Sequence, residues 1–245
     1  MTTQPSRLIY GGVISRPVRF KGHNGDTIGG YLARPSGPGP YPGVIIIHEV
    51  YGLVNHWREL AFKFAGHGYV ALAPDLHWRE GPGHPDDTAA PLREQGGVPD
   101  DRCIGDCEGT ATYLKRLRQC TGKLGVIGYC SGGRQVVLFA CNTTSLSAAV
   151  NCYGGRVIQE EFSERHPRAP IDMIPGLNCP MLGLFGEEDQ NPSPAHVERL
   201  RQELARHHKT FDFHSYPNAG HAFFADYRPS YRQHAAADGW ERVFE

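Results

Sequence analysis

The hexapeptide "GYCSGG" (Gly128–Gly133) is the most informative part of this sequence. It follows an apolar run, Leu124–Ile127, and precedes "RQVVLFAC", so it predicts a strand, a sharp turn and a helix. Glycines stand two residues before and two residues after Cys130, which is the G-x-S-x-G spacing of a nucleophile elbow with sulfur in place of oxygen. A motif centred on Ser131 would put Tyr129 where the turn needs glycine. The sequence therefore predicts that Cys130 is the nucleophile.

Short apolar runs of the buried-strand type recur along the chain and alternate with segments of helical spacing. Continuous apolar strands that alternate with helices are typical of a mostly parallel sheet with helices on both faces. At 245 residues, we expect a single α/β domain over residues 1–245. The predicted strands are "GVIII" (43–47), "YVALA" (69–73), "KLGVIG" (123–128), the weaker "AAVNCY" (148–153), "MLGLFG" (181–186) and "FDFHSYP" (211–217).

Two further segments have a distinct local character. The stretch 16–35, "RPVRFKGHNGDTIGGYLARP", alternates polar and apolar residues around Asn24–Gly25 and predicts a hairpin with a tight turn. The stretch from about Glu80 to Pro99 is rich in glycine, proline and aspartate and predicts a long loop near the site. Long loops in compact domains are often functional.

Composition excludes several classes of partner. A formal net charge of −1 gives no electrostatic reason to bind nucleic acid or an anionic membrane. No apolar run approaches the roughly 18 residues that a membrane span requires, and "MTTQPSRLIYGG" lacks a signal-peptide core. Seven cysteines are an odd number and favour reduced thiols in a cytoplasm over a disulfide framework. Cys103 and Cys107 have no second ligand pair at finger-like spacing, so no metal site is predicted.

Polar residues follow the predicted strands at the points where these end. His48 and Glu49 follow "GVIII", Asp75 follows "YVALA", and Asp189 follows "MLGLFG" after two glutamates. His221 lies in the loop after the last strand. Reactive groups in parallel sheets sit beyond the carboxyl ends of the strands, so we expect these side chains to converge on one edge, together with the nucleophile.

The chain order of three of these residues predicts a catalytic triad. Hydrolases with this kind of elbow carry the nucleophile, the acid and the histidine in that order, which Cys130, Asp189 and His221 satisfy. His221 would serve as the base that activates the thiol, and Asp189 would orient its ring. Glu187 and Glu188 are local alternatives to Asp189.

Two backbone amides are candidates for an oxyanion hole. The N–H of Ser131 stands at the start of the predicted helix, where the helix dipole also favours negative charge. A second donor is expected from the loop after "GVIII", and the amide of Val50 is the candidate.

Five segments together resemble the dienelactone hydrolase (carboxymethylenebutenolidase) family of α/β-hydrolases. They are "HEVYGL", "APDL", "GYCSGG", "GEEDQNPSP" and "GHAFFADYRPSY", and the resemblance runs from about residue 17 to the C-terminus. It implies an α/β-hydrolase fold and a Cys-His-Asp triad at Cys130, His221 and Asp189. It also implies that Glu49 holds the resting thiol away from the histidine and helps to form the thiolate when substrate arrives.

The same resemblance implies how substrate is held. Family members grip a substrate carboxylate with arginines, and Arg79 matches one such position, since an arginine fork binds a carboxylate bidentately. The second family arginine is replaced by Ala225, while Arg228 lies three residues further on. Aromatic residues near these positions are candidates for lining an acyl pocket: Tyr51, Trp78 and Phe224.

We therefore expect hydrolysis of a lactone or small ester through an acyl-thioester intermediate, with no metal or organic cofactor. A broad carboxylesterase or thioesterase is the alternative, which Ala225 favours because one arm of the carboxylate clamp is missing. A non-catalytic binding protein on the same scaffold would show damaged triad positions, and none is damaged. The expected partner is a small-molecule substrate, and the expected assembly is a monomer or small homo-oligomer.

Overall fold

The computed structural model describes residues 12–245, apart from the side chains of residues 85 and 86; the N-terminal segment 1–11, where no export signal is predicted, lies outside it. Eight strands and six α-helices follow one another along the described chain. The strands are β1 (Val13–Lys21), β2 (Thr27–Pro35), β3 (Tyr41–Ile47), β4 (Val70–Pro74), β5 (Cys120–Tyr129), β6 (Ala148–Cys152), β7 (Met181–Gly186) and β8 (Phe211–Tyr216). The helices are α1 (Asn55–Gly66), α2 (Pro85–Glu94), α3 (Asp100–Arg116), α4 (Ser131–Cys141), α5 (Pro194–Arg206) and α6 (Gln233–Phe244).

The strands form one sheet in the order β1-β2-β4-β3-β5-β6-β7-β8. The pairs from β4 to β8 are parallel, whereas β1 pairs with β2, and β2 with β4, in the antiparallel sense. The predicted mostly parallel sheet is therefore confirmed. Parallel strands all end at the same edge, so the loops after β3, β5, β7 and β8 meet there.

The predicted amino-terminal hairpin is also present. Val18 of β1 faces Gly30 of β2 across the pair. The turn between the strands contains Asn24 with φ 54° and Gly25 with φ 78°. Asparagine and glycine are the residues that enter this left-handed region at least cost, which explains why this dipeptide marks the turn.

Alternate residues of the central strands supply two separate cores. Ile45 and Ile47 of β3 pack into the core on one face, together with Leu114 of α3. Ile46 points to the opposite face and packs with Phe64 of α1. Because successive side chains of a strand point to opposite faces, a strand covered on both faces must be apolar throughout, as β3 is.

The segment between residues 80 and 99 differs from the predicted loop. Residues Pro85–Glu94 form helix α2, in which Ala89 and Leu92 are buried. Proline is tolerated in the first helical turn, and only Pro91 lies deeper in the helix. Gly96 and Gly97, with φ 95° and 102°, follow the helix in the left-handed region that glycine adopts without strain. Counting prolines and glycines without regard to their positions led to the wrong prediction here.

The described residues contain neither a membrane-spanning helix nor a cluster of metal-ligating side chains. None of the helices in residues 12–245 combines the length and apolar character needed to cross a bilayer. The same residues contain no cluster of three or more His, Cys, Asp or Glu side chains suited to a metal ion. Cys103 and Cys107 lie on the buried face of α3 and are free thiols.

Candidate active site

The sharp turn between β5 and α4 holds Cys130 in a strained backbone conformation, with φ 55° and ψ −119°. Its two flanking glycines are required by close backbone contacts. A Cβ atom on Gly128 would lie 2.2 Å from the carbonyl oxygen of Gly132, and one on Gly132 would lie 2.4 Å from the carbonyl oxygen of Ile47. Non-glycine residues at positive φ are uncommon and cluster at functional sites. This is the steric requirement that the sequence pattern predicts.

The loops after β7 and β8 bring a carboxylate and an imidazole together. Asp189 Oδ2 lies 2.7 Å from His221 Nδ1, and Asp189 Oδ1 accepts a hydrogen bond of 2.8 Å from the N–H of Asn191. Asp189 is only 2 % exposed, whereas the rival acids Glu187 and Glu188 are exposed. The geometry therefore favours Asp189 as the orienting acid.

The electrostatic surroundings of His221 favour its protonated form. Burial lowers the pKa of His221, but hydrogen bonds and charge interactions with Asp189 and with the Cys130 side chain outweigh burial and raise the pKa to about 10. The buried ring of Tyr153 meets the imidazole edge to face, with 5.2 Å between ring centroids. His221 thus bonds to Asp189, interacts with the Cys130 side chain and packs against the ring of Tyr153.

The two amides predicted to hold an oxyanion lie beside the same cavity. Val50 and Ser131 both line it, as do Cys130 and His221. Within residues 12–245, neither amide N–H has a hydrogen-bond acceptor. Ser131 is the first residue of α4, where the helix dipole adds to the attraction for negative charge.

Glu49 lines this cavity as a buried carboxylate. Burial raises its pKa, against the opposing effects of Arg228 and His221. Arg228 Nη2 donates a hydrogen bond of 2.5 Å to Glu49 Oε2. The resemblance implied that Glu49 keeps the resting thiol apart from the histidine. In the structure Glu49 is instead paired with Arg228, and the Cys130 side chain interacts with His221.

The cavity itself has a volume of about 580 Å³, which is within the range of small-molecule sites. Its walls come from the ends of β3 and β5, the start of α4, the connection between α2 and α3, the segment after β6 and the loops that carry Asp189 and His221. The stretch 92–98 contributes one wall, so the segment 80–99 does adjoin the site, although most of it is helical.

Arg79 is not among the residues that line this cavity. Its guanidinium donates to both carboxylate oxygens of the fully buried Asp106, at 2.8 and 3.0 Å, and to Asp26 at 2.9 Å. Each of its three nitrogens therefore donates to a carboxylate of the protein. The predicted role of Arg79 in binding a substrate carboxylate is not supported, because the buried charge of Asp106 already occupies its fork.

The three aromatic residues predicted to line the pocket lie outside it. Trp78 is 38 % exposed and borders separate depressions near β1 and β2. Phe224 is buried in the core against Trp240 of α6, with 5.3 Å between ring centroids. Tyr51 contacts a cavity-lining residue, since Arg93 stands 5.1 Å above its ring. Aromatic side chains near strand ends are used here mainly for packing.

Sequence reasoning missed the arginines that do line the cavity. Arg134 is buried and forms two hydrogen bonds with Asp100, at 2.6 and 3.2 Å. Arg93 and Arg156 are exposed, and neither guanidinium forms an ion pair with any carboxylate whose side chain the structure describes. Arg156 adopts φ 56°, and its N–H is held by Asn191 Oδ1 at 3.1 Å. A non-glycine residue at positive φ cannot be read from sequence, so no local signal marked Arg156.

A mostly parallel sheet with a cysteine at a glycine-flanked elbow, and an acid and a histidine on later loops, defines an α/β-hydrolase. The model of the dienelactone hydrolase family matches residues 28–245. The chain belongs to this family and is an enzyme that hydrolyses esters or lactones. Ala225, which the resemblance placed at the position of the second family arginine, is buried in the core and has no charged group that could bind a carboxylate.

Relatives and solved structures agree with this assignment. A protein of Escherichia coli K12 named "Putative carboxymethylenebutenolidase" is 37 % identical over 98 % of this chain and 88 % of its own. A Bradyrhizobium protein named "Probable 2-oxo-3-(5-oxofuran-2-ylidene)propanoate lactonase" is 29 % identical over 91 % of this chain and 89 % of its own. The crystal structure of a "Putative Dienelactone Hydrolase" from Klebsiella pneumoniae superposes with a TM-score of 0.85 at 35 % identity, covering 95 % of this chain and 97 % of that one.

The geometry of Arg79 generates a prediction about stability. Replacing Arg79 with alanine leaves the buried Asp106 carboxylate unpaired, so the free energy of unfolding should fall by about 3 kcal/mol, near the lower end for breaking a buried pair because Arg79 is partly exposed. Asp26→Asn removes only the exposed half of the network and should cost less than about 1 kcal/mol.

Urea denaturation of both variants measures this difference. The KM of a carboxylate-bearing lactone should stay unchanged in any Arg79→Ala protein that folds. A stable variant with a raised KM for that substrate would restore Arg79 as a substrate ligand.

Proposed function

We propose that this enzyme hydrolyses a lactone, or a small carboxylic ester, by acyl transfer to Cys130. The observation that carries the proposal is the alignment of Asp189 and His221, joined at 2.7 Å, beside the strained cysteine in one cavity. A thiol becomes a good nucleophile when an adjacent base and an orienting acid accompany it. The raised pKa of His221 supports an imidazolium that can act as a proton donor beside the cysteine.

In the first step the Cys130 thiolate attacks the carbonyl carbon of the substrate. A carbon–sulfur bond forms, and the carbonyl π electrons move to oxygen, which the N–H groups of Val50 and Ser131 stabilise. The tetrahedral intermediate collapses by breaking the carbon–oxygen bond of the ester, and protonated His221 gives its proton to the departing alkoxide. In a lactone the released hydroxyl stays attached to the acyl group.

In the second step water hydrolyses the thioester. The acylated sulfur carries no charge, so one of the causes that raise the pKa of His221 disappears and the neutral imidazole becomes available as a base. His221 takes a proton from water as the oxygen attacks the thioester carbon. The thiolate then leaves, and the carboxylic acid product forms together with the original imidazolium–thiolate pair.

Replacing Cys130 with alanine should lower kcat/KM at least a thousandfold, both for a lactone and for a short p-nitrophenyl ester. Loss of a single triad member has effects of about that size or larger. Cys120→Ala is the matched control. Cys120 begins the strand that leads to Cys130, roughly 30 Å away at about 3.3 Å per residue. Undiminished turnover in Cys130→Ala would exclude this cysteine as the nucleophile.

The pH dependence of kcat/KM should report the pKa of His221. Acylation needs the imidazolium as proton donor, so activity should decline as pH rises through about 10. Asp189→Asn removes an opposite charge that raises this pKa, so the alkaline decline should move to lower pH, by about one to three units. Glu187→Gln, a change at an exposed acid two residues away, should leave the profile in place. An alkaline limb that does not move in Asp189→Asn would contradict the assigned roles.

Two cavity arginines support a substrate that bears a free carboxylate. Arg93 and Arg156 offer guanidinium groups that form no ion pair with the described side chains, and the planar fork of arginine suits a carboxylate. The name of the Bradyrhizobium relative describes a lactone that also carries a propanoate group. We propose that this enzyme likewise prefers an acidic lactone, with these arginines in place of Arg79.

The preference can be measured as the ratio of kcat/KM for a carboxylate-bearing lactone to that for its methyl ester. In the double variant Arg93→Ala/Arg156→Ala the ratio should fall tenfold or more, since a hydrogen bond to a charged group is worth about 1.5–3 kcal/mol. Arg199→Ala, an exposed arginine of α5, is the control. A wild-type ratio near one would favour the broad carboxylesterase or thioesterase instead.

The thiol chemistry also bears on the compartment. All seven cysteines are free, and the proposed nucleophile must stay reduced to react. A reducing cytoplasm supplies that condition, which supports our proposal of a cytoplasmic enzyme. The expectation of a monomer or small homo-oligomer stays a prediction.

A further inference from the structure

His48 lies at the end of β3, immediately before Glu49, and is only 1 % exposed. Both of its ring nitrogens have backbone partners. Nδ1 lies 2.7 Å from the carbonyl oxygen of Glu49, and Nε2 accepts a hydrogen bond of 3.1 Å from the N–H of Leu76. The ring therefore joins the end of β3 to the turn that follows the neighbouring strand β4.

These two partners fix the tautomer of His48. A carbonyl oxygen can only accept, so Nδ1 must carry the hydrogen, and a backbone N–H can only donate, so Nε2 must be bare. Burial lowers the pKa of His48 and outweighs the opposing effects of Asp75 and of the Glu49 carbonyl. The ring is therefore neutral. A neutral imidazole with hydrogen on Nδ1 satisfies both neighbours.

The carbonyl of Glu49 and the N–H of Val50 belong to the same peptide unit. Because that unit is planar and trans, fixing the direction of the carbonyl also fixes the direction of the N–H, which points the opposite way. Val50 is the amide assigned to the oxyanion hole beside the cavity. A hydrogen bond to the carbonyl also polarises the peptide and makes its N–H a stronger donor.

We propose that His48 is a positioning residue that aims and polarises the Val50 amide at the oxyanion of the transition state. The inference rests on the proposed function, since it requires acyl transfer in this cavity. His48 touches neither substrate nor nucleophile and acts through the peptide that follows Glu49.

A second donor limits how much depends on His48. The N–H of Gly52 also reaches the carbonyl oxygen of Glu49, at 3.2 Å, within a tight turn. When the imidazole bond is lost, the peptide between Glu49 and Val50 is therefore held less firmly but keeps the bond from Gly52. We expect an effect of about tenfold on kcat, below the 10²–10³ that removal of an oxyanion-hole donor costs.

A pair of amide variants separates the two bonds of His48. In His48→Asn the side-chain NH₂ group can take the place of Nδ1 and keep the bond to the Glu49 carbonyl. In His48→Gln the longer side chain can place its oxygen near the position of Nε2 and keep the bond to Leu76, while the Glu49 carbonyl loses the imidazole donor and keeps only the Gly52 N–H. In His48→Asn the Leu76 N–H loses its partner, whereas in His48→Gln the Glu49 carbonyl keeps the bond from the Gly52 N–H, so His48→Gln should lose no more stability than His48→Asn.

We expect His48→Gln to lower kcat about tenfold with little change in KM, and His48→Asn to retain most activity. A bond that matters only in the transition state changes kcat and not ground-state binding. An aryl trifluoromethyl ketone provides an independent readout, because its thiolate adduct carries an oxyanion. Its inhibition constant should rise in His48→Gln by the factor that kcat/KM loses. Alkylation of Cys130 by iodoacetamide builds no oxyanion, and its rate should change less than about twofold.

Equal losses in the two variants, or alkylation that slows in step with turnover, would show that His48 only supports the fold and would overturn the proposal. Should either variant fail to fold, ¹⁵N NMR of the wild-type imidazole decides, because hydrogen on Nε2 would exclude donation from Nδ1. The proposed function is tested separately by Cys130→Ala, and it fails if that variant hydrolyses esters as fast as the wild-type enzyme.

Discussion

The backbone contact between the start of α4 and the end of β3 is the constraint on which the site depends. A Cβ atom at Gly132 would lie 2.4 Å from the carbonyl oxygen of Ile47 and 2.7 Å from that of His48. Only glycine permits two main chains to approach so closely. This contact sets Cys130 at the turn, Ser131 at the start of the helix and the peptide after Glu49 around one small volume. Both proposed oxyanion donors are therefore amides placed by packing of the main chain.

Charge pairing then determines which side chains are free to meet a substrate. Arg79 is committed to Asp106, Arg134 to Asp100 and Arg228 to Glu49, and in each pair the carboxylate is buried. An ionised carboxylate is stable in such places only when a cation compensates the lost hydration. These arginines are therefore held by the architecture. Arg93 and Arg156 line the cavity without pairing to a buried carboxylate among the described side chains, so their guanidinium groups are the ones that suit an acidic ligand.

Particular elements show why sequence predicted most of the fold. The run "GVIII" was recognisable as β3 because a strand covered on both faces must be apolar throughout. The hairpin was recognisable because Asn24 and Gly25 tolerate a left-handed backbone. Helix α2 was missed because its prolines and glycines suggested a loop, while the burial of Ala89 and Leu92 that stabilises it depends on distant partners.

The amino-acid sequence by itself determined the order of the candidate catalytic residues along the chain. A cysteine between glycines comes first, then an acid and then a histidine, each after a predicted strand. Those signals are local, because glycine spacing and apolar runs express steric and solvation requirements of the nearby backbone. Only the tertiary structure decided that Arg79 meets Asp106, that Glu49 meets Arg228 and that Phe224 belongs to the core. Such pairings join residues up to 179 positions apart, and long-range burial and Coulomb attraction leave no pattern in the neighbouring sequence.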